Sequence, residues 1–190
     1  YNPNLVGFST GTGDRDSSGS KLNVAYPGNV AENMPEQARL LIERIQAMPE
    51  VDFNNDWKLV TLFIGGNDLC DYCGEEIRFS VDNYRNHIQE ALDILKAGLP
   101  RTFVNLVSIF DMTPMAYLAD NIICSAIHWV VCNCPKDAEP GLIKAIAMQY
   151  SASVEELIAS NRYEDSDDFT VVFQPFMRDN DVPREENGEP

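Results

Sequence analysis

The sequence predicts an α/β fold built on a mostly parallel sheet. Two observations carry this. Apolar runs of strand length occur at 59–64, 102–109 and 169–173, and long amphipathic helical patterns separate them. A strand, a helix and a second strand in succession read as a right-handed crossover, which places the two strands parallel. At 190 residues the chain suits one domain with a sizeable core.

Tyr1 to Ser20 is rich in Gly, Ser, Thr and Asp, and GTGDRDSSGSK invites comparison with a phosphate-binding loop. The spacing fails: five residues separate Gly13 from Gly19, Ser20 intervenes before Lys21, and no strong strand precedes the glycines. The segment reads as a surface loop. Leu22 to Tyr26 is a candidate short strand ending in the turn Pro27-Gly28-Asn29. From Asn33, with Glu36 placed to complete a capping box, a helix is expected to Met48, its core face Met34, Ala38, Leu41, Ile42 and Ile45.

Leu59, Val60, Leu62, Phe63 and Ile64 form a nearly continuous apolar run, the pattern of a strand covered on both faces. Gly65 and Gly66 end it and let the backbone turn sharply, and Asn67 and Asp68 follow with polar side chains. Sites in open α/β sheets lie at such carboxyl ends. A neutral amide there can donate to an oxygen that gains charge in a reaction, although an Asn-Asp turn reads equally well from spacing alone. Ser80 caps the next expected helix, whose face is Val81, Tyr84, Ile88, Leu92 and Leu95; His87 falls just off that stripe and reads as a boundary residue. Gly98 and Pro100 close it. The strand at 102–109 follows, then an irregular stretch at 111–135 holding three cysteines, His128 and Trp129, which reads as an insertion tied by disulfides. Pro140 to Asn161 is the clearest helix, and Phe169 to Phe173 the last strand. The charged residues 178–190 read as a loop cut off mid-course; Arg184 stands where a calcium loop needs Gly.

Thirty acidic residues against 14 basic ones give a formal charge of −16. That balance argues against nucleic acid and anionic membrane surfaces as main partners, by repulsion, and leaves neutral or zwitterionic substrates open. No run approaches the roughly 18 apolar residues of a membrane span, and Tyr1 begins no recognisable signal peptide. The five cysteines, Cys70, Cys73, Cys124, Cys132 and Cys134, match no standard zinc finger or ribbon. Disulfides of an exported protein are the better use, with one cysteine left without a partner in the chain.

IGGNDLCDYC resembles the third conserved block of the GDSL, or SGNH, hydrolases, specifically their phospholipase B group. NPNLVGFSTGTG, LNVAYPGNVAENMPEQARLL, ALDILKAGLPRTFVNLV and SNRYEDSDDFTVVFQPF extend the resemblance, in order, across nearly the whole chain. It implies a three-layer flavodoxin-like sandwich, incomplete at both ends, so that 1–190 is a partial domain with an exposed sheet edge or gap. It also implies fatty-acyl esters of glycerophospholipids as substrates, no metal or cofactor, and a secreted or surface-anchored parent. Gly28, in the pattern Asn23-x-x-x-x-Gly28, and Asn67 take the places of the family's oxyanion donors, with Gly65, Gly66 and Asp68 as support for the turn. The family's Gly-Asp-Ser nucleophile block and Asp-x-x-His block are not in this sequence, and Ser9, between Phe8 and Thr10, matches neither. The expectation is therefore a lipase segment inactive alone, with a noncatalytic, disulfide-bonded binding domain as the alternative.

Overall fold

The structure, a computed structural model, describes residues 3–11, 13–116, 132, 134, 138, 139 and 141–178. In chain order the elements are a 3-10 turn at Ala31–Asn33, α1 at Met34–Ala47, β1 at Lys58–Leu62, α2 at Gly66–Asp71, α3 at Val81–Gly98, β2 at Thr102–Val107, α4 at Leu142–Ala159 and β3 at Phe169–Gln174. Short 3-10 turns also follow β2 and β3. The three strands form one sheet in the order β1-β2-β3, all parallel, with Leu62 opposite Leu106 and Leu106 opposite Phe173. The predicted parallel α/β sheet is therefore present. All three strands end on the same side, where the Gly65-Gly66 turn emerges.

Alternation along the strands decides which face is covered. Leu62, Val104, Leu106, Phe169 and Val171 lie in one core with Ile88, Leu92, Leu95, Tyr150, Val154 and Leu157 from α3 and α4. Helix α3 is central, packing on α1 at one side and α4 at the other. Among the described residues the opposite sheet face is open: Leu59 is 67% exposed and Phe63 45%. This corrects the expectation of a strand covered on both faces. An apolar run reports affinity for a core and not which neighbours supply one.

Three other local expectations change. Residues 22–26 form no strand; Leu22 instead donates its N–H to Gly7 O, closing the N-terminal loop. Asn33 makes no capping box with Glu36, because its Oδ1 accepts from Val30 N–H at 2.9 Å. The turn after β1 runs into the short helix α2, whose six residues are too few to show helical periodicity. Ser80 caps α3 as predicted, accepting from Asn83 N–H. Most of the 111–135 insertion, including Cys124, His128 and Trp129, lies outside the described residues, as does 179–190.

Two disulfides, Cys70–Cys132 and Cys73–Cys134, fasten α2 to the segment preceding α4. Each alone closes a loop of about 60 residues, worth roughly 4 kcal/mol on loop-entropy grounds. The two loops nearly coincide, so once one bond exists the other closes only a short ring and adds about half as much. Urea unfolding of a Cys73→Ser/Cys134→Ser variant should consequently show less than half the destabilisation caused by removing all four cysteines; two equal, additive losses would contradict this.

Candidate oxyanion-binding site

Strand β1 carries its chain directly into the site. Ile64 follows it, and its carbonyl accepts from Tyr84 Oη at 3.1 Å. Gly65 sits at φ +121°, a conformation that side chains rarely adopt, and a Cβ there would meet Tyr84 Cε2 at 3.2 Å. Glycine is required at Gly65 for both reasons. Gly66 is different: a Cβ would meet nothing within 4 Å, so no protein atom demands glycine there. The Tyr84 ring is itself fixed by a parallel stack on Tyr150, centroids 4.1 Å apart, and burial raises both hydroxyl pKa values.

Beyond the turn, Asn67 and Asp68 reach across 38 and 37 residues of sequence to the turn before α1. Asn67 Nδ2 donates to Asn29 O at 2.8 Å. The Ala31 N–H donates to both carboxylate oxygens of Asp68, each at 3.1 Å. Gly28 lies in that same turn, exposed, at φ +80°, and its N–H has no acceptor among the described residues. The structure thus brings the Gly28 turn and the side chain of Asn67 together through the neighbouring carbonyl. An amide nitrogen carries two hydrogens, so Asn67 retains one donor after binding Asn29.

Around this pair the turn is clamped further. Arg78, in the loop after α2, pairs with Glu32 through both Nε and Nη2, and its Nη1 bonds Glu75 at 3.0 Å. The Arg78 hydrogen bond holds the Glu32 carboxyl below its ordinary pKa. Asp68 goes the other way. It is 2% exposed, and burial pushes its pKa up to about 6 against the pull of the Ala31 N–H. Among the described residues no group of three or more His, Cys, Asp or Glu is placed to hold a metal ion. His87 lies half-buried on α3, as its place beside the apolar stripe predicts.

The sequence profile of the GDSL-like Lipase/Acylhydrolase family matches residues 1–190. The chain belongs to the GDSL-like lipase/acylhydrolase family. Its relatives include "Phospholipase B1, membrane-associated" from Mus musculus, 39% identical over 198 residues that cover 100% of this chain and 13% of that protein. The proteins of the same name from Homo sapiens and Rattus norvegicus are each 38% identical over 198 residues, again covering 100% of this chain and 14% of theirs. This GDSL-family chain therefore spans about one seventh of those relatives' length. No solved structure matches it.

Reading the sequence singled out Gly28, Gly65, Gly66, Asn67 and Asp68 but missed the acceptor Asn29, the donor Ala31 and the wedge Tyr84. Tyr84 was visible only as one member of an apolar stripe. Backbone partners carry no residue-type signal.

The Asp68 shift fixes a sign for stability. Its folded pKa of about 6 lies above the ordinary 3.8, so the folded state holds the proton more tightly. The resulting stabilisation is full below pH 3.8 and lost as pH rises through 6, a swing of about 3 kcal/mol. Relative to wild type, Asp68→Asn should gain stability by up to that amount between pH 4 and pH 7 in urea titrations; a pH-independent difference would refute the buried-carboxylate assignment.

Proposed function

We propose that this chain is the oxyanion-binding middle of a serine lipase of the phospholipase B type, cleaving fatty-acyl esters of glycerophospholipids and lysophospholipids. The supporting observation is the junction of the Gly28 turn with Asn67, held by Asn67 Nδ2 on Asn29 O at 2.8 Å. When a serine attacks an ester carbonyl, the carbonyl oxygen becomes an oxyanion and needs donors already in place. The Gly28 N–H and the second hydrogen of Asn67 are those donors in this reading. A histidine takes the serine proton and returns it to the leaving alcohol, leaving an acyl-serine that water then hydrolyses. The serine and the Asp-His pair come from sequence outside these 190 residues, since no Gly-Asp-Ser block occurs within them. By itself the chain does not turn over substrate.

The two disulfides and the membrane-associated relatives support an extracellular or cell-surface setting. The absence of the serine block equally fits a second reading, a noncatalytic binding domain that keeps the fold. The two part experimentally in a polypeptide extended along the gene in both directions. There Asn67→Ala should lower kcat for lysophospholipid hydrolysis by about a hundredfold or more, because one preorganised oxyanion donor is worth that much. Unchanged kcat in the variant would overturn the oxyanion assignment, and an inactive extended polypeptide would favour the binding domain.

A further inference from the structure

We infer that Asp68 is the positioning residue of the oxyanion site: its buried carboxylate grips the Ala31 N–H and thereby sets the Gly28 turn against Asn67. This inference rests on the lipase reading above. Ala31 is 1% exposed and opens the 3-10 turn directly after Gly28, Asn29 and Val30. Its N–H is one of the free donors of a helical N-terminus, and both Asp68 oxygens receive it at 3.1 Å. Asp68 follows Asn67 without an intervening residue, so the two side chains form parallel tethers, one to the carbonyl of Asn29 and one to the amide of Ala31. One tether would permit rotation about itself. Two fix both the distance and the angle between the turns.

The charged and titratable groups facing Asp68 are Glu32 and Arg78, with Tyr84 from α3 and Tyr150 from α4. Glu32 and Arg78 are paired with each other and contribute opposing fields, and the tyrosines stay neutral across the working range. His87 reaches the group only through Glu32. A change seen at Ala31 near pH 6 and absent from Asp68→Asn therefore reports Asp68.

The test uses the extended polypeptide and four variants: Asn67→Ala, Asp68→Ala, Asp68→Asn and the Asn67→Ala/Asp68→Ala double. Misplacing donors by an ångström costs rate and not ground-state affinity, so Asp68→Ala should lower kcat about tenfold or more with KM little changed. Asp68→Asn keeps an acceptor for Ala31 and should recover most of that loss. The double variant should be slower than Asn67→Ala alone, but by less than the two single losses multiplied, because Asp68 places two donors of which Asn67→Ala has already removed one. Independent, multiplying losses, or a kcat unaffected by Asp68→Ala, would overturn the inference. Should Asp68→Ala fail to fold, the Ala31 amide resonance of the 190-residue chain decides. It should titrate near pH 6 in wild type and not in Asp68→Asn, and a flat resonance in wild type would overturn the tether. Asn67→Ala at full activity refutes the oxyanion assignment of the proposed function instead and leaves the Ala31 titration standing, so the two failures are distinct.

Discussion

Two adjacent side chains at the start of α2 hold together parts of the chain nearly 40 residues apart. Everything about the site depends on that paired tether. The strand supplies direction, Gly65 supplies the reversal, and Tyr84 sets where the reversal occurs by occupying the space a Cβ would need. Only then do Asn67 and Asp68 reach the Gly28 turn. The disulfides act at the far end of α2, where Cys70 within the helix binds Cys132 and Cys73, two residues past its last, binds Cys134. A six-residue helix has little cohesion of its own. It is held at its first turn by hydrogen bonds and at its last by covalent bonds, which is how so small an element presents an amide in a fixed place.

The sheet shows the same division between an organised and an open side. Its helix-covered face is packed with residues such as Ile88, Leu92 and Val104 that have no exposure at all. On the other face Leu59 and Phe63 meet solvent. The carboxyl ends of the strands lie between these two environments, and Phe63 stacks there on Phe110 at 6.2 Å between centroids. The core thus encloses the Ala31–Asp68 tether and leaves Gly28 exposed.

Much of the fold was legible because helices and strands repeat with fixed periods. The stripe Tyr84-Ile88-Leu92-Leu95 placed α3, the helical pattern from Pro140 to Asn161 placed α4, and the cap at Ser80 marked its helix correctly. What escaped reading depends on partners distant in sequence. Leu59 looks like a core residue until its neighbours are known. Asn33 has the side chain of a cap and uses it on Val30 instead. Asp68 stood out only as a polar residue after two glycines, and nothing local shows that it receives the Ala31 amide. The site was legible as a set of turns, while its assembly is tertiary.

In the proposed function these 190 residues supply oxyanion donors to a nucleophile carried elsewhere on the polypeptide. Labelling with a serine-reactive fluorophosphonate tests it most directly, comparing the 190-residue chain with a polypeptide extended along the gene in both directions. Only the extended polypeptide should label. Labelling of the short chain would place a reactive serine within it and overturn the proposed function, as would silence from both.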